Sequence, residues 1–276
     1  PDPAYPVYRN ATVLAGGDVA EMPLLAENGF LPDFGAISQR AARRAKLMFL
    51  NYPNNPTAAV ATDACYEEAI ALANEYQIVV AHDAAYSEIA FDGTRPKSFL
   101  QMPGAKDVGV EFHSLSKTYN MTGWRAGWVC GNAKVIAALT RLKTNLDSGI
   151  FQPVQLAAIE ALQGDQSCVT AAIATYQQRR DALIDGLAKS GWVIPKPSAA
   201  FYVWAPLPAQ SAKGQAGVPG GQSSIAFATR VLEEANVVIT PGAGFGAHGE
   251  GYVRMTLTIP TERIEEAVRR LSKILT

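Results

Sequence analysis

The chain has 276 residues and carries 24 basic against 25 acidic side chains, a formal net charge of −1. That balance argues against a dedicated nucleic-acid binder, which would be strongly basic. At 48% hydrophobic and 18% charged, the composition fills a sizeable core, and the length fits one large or two modest domains.

The opening Pro1-Asp2-Pro3-Ala4-Tyr5-Pro6 has no methionine and reads as the middle of something. Residues 46–50 form an apolar run suited to a strand buried on both faces. It ends in Asn51-Tyr-Pro-Asn-Asn-Pro56, where two prolines forbid regular pairing. Cys65, Ala69, Leu72, Ala73 and Tyr76 then recur at helical spacing, with Thr62 or Asp63 as N-cap. Further buried strands are predicted at 78–81, 108–112 and 127–130. Strands separated by a helix or by longer connections predict an α/β fold, an open and mostly parallel sheet covered by helices.

From residue 133 the helical pattern lengthens. Helices are predicted at 154–163 and 168–189, with a break at Gly164, and the second is long enough to bridge two domains. A strand at 199–204, a Gly-rich polar insertion at 210–222, a helix at 224–235 and strands at 237–239 and 252–259 follow. Ile264, Val268, Leu271 and Ile274 mark a closing amphipathic helix. The expected division is a large domain over 1–165 and a smaller C-terminal α+β domain over 166–276.

Open parallel sheets bind ligands at the carboxyl ends of their strands. Asn55, then Asp83 and Tyr86, then Ser114, Ser116 and Lys117 with Arg125 all follow predicted strands. Taken singly each has a plain reading: a surface lysine, a helix cap, a core tyrosine, a turn asparagine. As a set they suit pyridoxal phosphate. The cofactor needs an imine-forming lysine, an acid for its pyridinium nitrogen, and donors for its phenolate and phosphate. Asp83 can hold the ring nitrogen protonated, Tyr86 and Asn55 can bond the phenolate, and Ser114, Ser116 and Arg125 can meet the phosphate.

Ser114-Leu-Ser-Lys117 with Arg125 eight residues on resembles the lysine signature of the fold-type I, class I/II pyridoxal-phosphate aminotransferases. Asn55-Pro-Thr57 and Asp83-Ala-Ala-Tyr86 resemble that family's other cofactor motifs, and the intervals of 28 residues from Asn55 to Asp83 and 34 from Asp83 to Lys117 resemble its spacing. The resemblance implies that Lys117 carries the cofactor and shuttles the proton, that Asp83 pairs with the ring nitrogen, and that Arg254 binds the substrate α-carboxylate. It also implies amino acids and 2-oxo acids as substrates, and a homodimer with active sites at the subunit interface. Within the family, residues 51–60, 111–125 and 27–33 are most similar to the LL-diaminopimelate aminotransferases, which interconvert LL-diaminopimelate plus 2-oxoglutarate with tetrahydrodipicolinate plus glutamate in lysine biosynthesis.

Two glycines of the family are alanines here, Ala58 after Asn-Pro-Thr and Ala4 in the opening motif. Family members also carry a further segment ahead of that motif, with a phosphate-gripping turn and cofactor-facing tyrosines. The chain is therefore expected to cover about the last two-thirds of a member. Two rivals keep these motifs: another transaminase (aspartate, alanine or aromatic) or a β-lyase, and a folded but non-catalytic module.

No apolar run approaches the roughly 20 residues of a membrane span, and no signal-peptide pattern is present. Cys65, Cys130 and Cys168 are scattered and odd in number, which predicts no disulfide framework and, with no histidine pair at ligand spacing, no metal site. A soluble cytoplasmic protein is expected. His82 and His113 stand at strand ends where alternation turns one of them away from the motif residues. Gly242-Ala-Gly-Phe-Gly246 precedes a strand rather than a helix, so it reads as a tight loop near the substrate carboxylate and not a dinucleotide cradle. Trp124, Trp128, Trp192 and Trp204 read as packing residues.

Overall fold

The computed structural model describes residues 1–208 and 223–275; the insertion expected at 210–222 lies outside the described residues. The strands are β1 (Leu47–Asn51), β2 (Val79–Asp83), β3 (Gly109–Ser114), β4 (Gly127–Gly131), β5 (Tyr202–Pro206), β6 (Thr240–Pro241) and β7 (Tyr252–Thr256). They form a four-stranded sheet in the order β1-β2-β3-β4 and a three-stranded sheet in the order β5-β7-β6. The chain divides into two compact units, Asp33–Pro53 with Val60–Ala172, and Pro1–Pro32 with Asn54–Ala59 and Ile173–Thr276. The division falls inside the predicted long helix, observed as Ser167–Ala188. No helix of the described residues is long and apolar enough to cross a membrane.

In the first unit β1, β2 and β3 run parallel, with Asn51 level with Asp83 and His82 level with Glu111. The connection between β1 and β2 is the helix Asp63–Tyr76. It starts where Thr62, extended and outside the helix, accepts a hydrogen bond from the Cys65 N–H at 3.2 Å through its Oγ1. Thr62, not Asp63, is thus the cap. The helix buries Cys65, Tyr66, Ala69, Ile70 and Ala73, a stripe at helical spacing, and stops at Gln77 in the left-handed region. The inner strands β2 and β3 bury the apolar Val80, Ala81 and Val110, and with them His82 and Glu111.

The outer strands depart from expectation. β1 is not buried on both faces, since Leu47 is exposed and Phe49 half-buried. β4 pairs antiparallel to β3 and exposes Trp128 and Cys130. Each has a single ladder and so fewer neighbours to cover it. Trp124 is likewise exposed, so neither of these tryptophans packs into the interior. Gly127 has a steric reason to be glycine: level with Ser114, a Cβ there would stand 2.5 Å from the His113 carbonyl oxygen.

In the second unit β7 is flanked antiparallel by β5 and β6. Val203, Ala205 and Val253 form its apolar face with Phe227 and Val231 of the helix Ser224–Ala235 and Ile264 and Leu271 of the helix Thr261–Leu275. The Ser223 hydroxyl caps the first of these helices at the Ala226 N–H. Trp192 and Trp204 are buried as predicted, and the Trp192 Nε1–H donates to the Pro206 carbonyl at 2.8 Å. The strand expected at 237–239 is not formed: Asn236 turns left-handed to end the helix, Val238 is exposed, and pairing begins only at Thr240. β7 ends at Thr256, short of the expected 259.

Replacing Thr62 with alanine removes the cap of Asp63–Tyr76 and is expected to cost about 1 kcal/mol. Urea unfolding should show a lower midpoint at unchanged slope; an unchanged midpoint would mean the cap is dispensable.

Candidate active site

In the first unit the candidate groups stand at or after the ends of β2 and β3. At the end of β2, Asp83 is fixed by its own backbone: its carbonyl accepts from Asn51 Nδ2 at 2.8 Å, and its Oδ1 accepts from the Ala85 N–H at 3.2 Å. Tyr86, one turn on, is buried. At the end of β3, Ser114 caps the helical turn Leu115–Thr118, its Oγ accepting from the Ser116 N–H at 3.1 Å. The hydroxyl hydrogen is not used in that bond and can be given to an anion. Ser116 is buried, and its carbonyl accepts from Thr122 Oγ1 at 3.0 Å.

Lys117 stands in this turn, half-buried, with its amine held below the ordinary lysine range. Burial is the largest cause, the positive charge of Arg125 adds to it, and the Asp83 carboxylate opposes both. Arg125 has a left-handed backbone (φ 52°) and donates from one guanidinium nitrogen to the Thr122 carbonyl at 2.8 Å. Asp83, Ser114, Ser116, Lys117 and Arg125 therefore belong to one neighbourhood of the first unit.

Asn55 and Arg254 lie in the second unit, and they meet: Arg254 donates to Asn55 Oδ1 at 2.7 Å. The Arg254 guanidinium carbon lies 4.1 Å from the centre of the Tyr202 ring and 4.6 Å from that of Phe245. Two aromatic faces thus pack against the cation. Phe245 belongs to the Gly242–Phe245 turn, so the loop is tight, as expected, and reaches Arg254 through that ring. Asn54 is fully buried and braces the loop, its Oδ1 accepting from both the N–H and the hydroxyl of Thr57. Ala58 adopts φ 60°, which explains the usual glycine there and makes the alanine a strained but chemically silent departure.

Sequence reasoning missed two features. Tyr202 and Phe245 become partners of Arg254 only through the pairing of β5 with β7 and the turn before it. Glu111 is buried and gathers His82, His113 and Ser98 around it. Both histidines meet Glu111, so both face away from the Asp83 side of the sheet, where one was expected to. The i, i+2 spacing of Glu111 and His113 was a visible signal; their level with His82 was not. Among the described residues no group of three or more His, Cys, Asp or Glu is placed to hold a metal ion.

The donor set fits pyridoxal phosphate: an amine with a lowered proton affinity, a carboxylate beside it, and two hydroxyls and a guanidinium for a dianion. The comparisons agree. The chain matches the family model described as aminotransferase class I and II over residues 1–271, and it belongs to that family, whose chemistry depends on pyridoxal phosphate. It is 56% identical to the LL-diaminopimelate aminotransferase of Moorella thermoacetica over 275 residues, covering 100% of this chain and 68% of that protein. The enzyme of the same name from Desulforudis audaxviator is 57% identical over 271 residues, 98% of this chain and 66% of that protein. The chain thus spans about two-thirds of the length of these relatives. Among solved structures, apo-BacF from Bacillus subtilis has a TM-score of 0.92 at 40% identity, covering 100% of this chain and 68% of that one. An aminotransferase from Staphylococcus aureus has a TM-score of 0.90 at 33% identity, with 100% and 70% covered.

The charges around Lys117 give a signed prediction. Arg125→Ala removes a repelling cation, so the pH at which Lys117 is half-labelled by acetic anhydride should move up; Asp83→Asn removes an attraction and should move it down. Peptide mass mapping of the cofactor-free chain reads both, and shifts of the opposite sign would refute this electrostatic picture.

Proposed function

We propose that this chain carries out transamination between LL-diaminopimelate and 2-oxoglutarate, yielding tetrahydrodipicolinate and glutamate in lysine biosynthesis. The observation that carries the reading is the identity above one-half, over the whole chain, to proteins named LL-diaminopimelate aminotransferase. Of the residues given cofactor roles, Asp83, Tyr86, Ser114, Ser116, Lys117 and Arg125 lie in the first unit, and Asn55 lies with Arg254 in the second.

When bound, pyridoxal phosphate supplies the electron sink that takes up the pair released at the substrate α-carbon. The rest is the work of side chains. Lys117 would hold the cofactor in the resting enzyme, and its amine, once released, would take the α-proton and return it, a role that its lowered proton affinity favours. The Asp83 carboxylate keeps a proton on the ring nitrogen. Tyr86 and Asn55 bond the phenolate oxygen, and Ser114, Ser116 and Arg125 hold the phosphate. Arg254 orients the α-carboxylate of each substrate, with Asn55 fixing its guanidinium.

The enzyme acts as a cytoplasmic homodimer. Supporting the dimer, Leu146 of the helix Ala133–Leu146, Leu156 of the helix Gln152–Gln163 and Phe151, which caps the latter, each expose 60% or more of their surface. Supporting the compartment, its three cysteines are all unpaired.

Borohydride reduction in the presence of pyridoxal phosphate should leave one adduct, on Lys117, and Lys117→Ala should abolish both adduct and turnover. Transfer from LL-diaminopimelate to 2-oxoglutarate should exceed that from aspartate, alanine or phenylalanine. Pyruvate and ammonia released without an acceptor would instead show a lyase, and a well-folded chain with no Lys117 adduct would overturn the assignment. On the same sample, sedimentation at twice the chain mass is expected; a monomer would remove the dimer.

A further inference from the structure

Behind the face that presents Asp83 and Ser114, the sheet contains a buried charge cluster that the aminotransferase chemistry does not use. Glu111 in β3 is 1% exposed and His82, level with it in β2, is 0% exposed. The Glu111 carboxylate accepts four hydrogen bonds. His82 Nδ1 and the Phe99 N–H reach one oxygen at 3.0 and 2.8 Å; His113 Nε2 and the Ser98 hydroxyl reach the other at 2.9 and 2.8 Å. Burial alone would raise the carboxyl's proton affinity, but the bonds from His113, His82 and Ser98 and the attraction of His82 outweigh it and hold Glu111 ionised. The other ring nitrogen of His82, Nε2, lies 3.1 Å from the Tyr66 hydroxyl oxygen. The His113 ring is stacked on Trp128 of β4, centroids 4.9 Å apart. The titratable groups facing the cluster are thus His82 from β2, His113 from β3, Tyr66 from the helix Asp63–Tyr76, and Cys130 from β4, whose Sγ is 3.9 Å from the Glu111 carbonyl.

A sheet interior has no need of a carboxylate. Apolar side chains would fill the space without the desolvation cost of a buried charge, and the best-attested use of such a charge is to fix register. Here the register matters, because successive residues alternate between faces. Glu111 and His113 share one face of β3 and Ser114 lies on the other; His82 shares that first face of β2 and Asp83 lies on the other. A slip of one residue would separate Glu111 from His82 and turn Asp83 and Ser114 out of line together.

We propose that Glu111 is a positioning residue for the cofactor face: by gripping His82 and His113 from behind, it holds the carboxyl ends of β2 and β3 so that Asp83 and Ser114 stay at fixed heights. This rests on the reading of Asp83 and Ser114 as cofactor ligands. Glu111→Gln puts an amide donor among four donors, and its carboxylate charge is lost. In the chain loaded with pyridoxal phosphate, the pH midpoint of the cofactor's visible absorbance should move by about one pH unit, and the cofactor dissociation constant should rise about tenfold. Glu111→Asp, which keeps the charge one methylene short, should recover most but not all of both effects, and the shift that remains is the readout if the glutamine variant does not fold. A residue that only stabilises the fold would lower the melting temperature and leave the midpoint in place. Parent-like midpoint and affinity in whichever variants fold would overturn the proposal. A parent chain with no visible cofactor band would overturn the ligand assignments, and the positioning role with them.

Discussion

The chemistry of the first unit depends on the parallel pairing of three strands. Because β1, β2 and β3 point the same way, their carboxyl ends open on one edge, and whatever follows each strand is delivered to that edge. Asn51 at the end of β1 grips the Asp83 carbonyl at the end of β2. Ser114 at the end of β3 starts the turn that carries Lys117. None of these residues is adjacent in sequence, and a ladder of backbone hydrogen bonds is what makes them neighbours.

On that scaffold the electrostatics set the properties of one amine. Burial and Arg125 push the Lys117 proton affinity down, while Asp83 limits the effect. The same three groups recur in the proposed roles: an amine to carry and return a proton, a cation for phosphate and an anion for a ring nitrogen. The second unit solves a different problem. Arg254 is held there by a hydrogen bond to Asn55 and by the faces of Tyr202 and Phe245, contacts that suit the carboxylate-binding role proposed for it.

What was legible in the sequence was local. The helix over 63–76, whose cap the sequence narrowed to Thr62 or Asp63, the helix over 224–235 and the strand preceding Asp83 are set by apolar spacing and capping chemistry within a few residues. The motif residues were legible for the same reason, being concentrated just after strands. What was not legible depends on distant parts of the chain. The antiparallel direction of β4, the exposure of Trp124 and Trp128, the grip of Glu111 on His82 and the aromatic faces over Arg254 all follow from pairings that no short window contains. The expected strand at 237–239 shows the converse: its residues have strand propensity, but Asn236 reverses the chain and no ladder reaches them before Thr240.

The central claim is that Asp83, at the end of β2, is the anionic partner of the cofactor's ring nitrogen. Nuclear magnetic resonance of the chain loaded with pyridoxal phosphate labelled with nitrogen-15 in the ring tests it most directly. The account predicts the chemical shift of a protonated pyridinium through neutral pH, lost in Asp83→Ala. The shift of an unprotonated pyridine in the parent chain, or a pyridinium that survives the substitution, would contradict it.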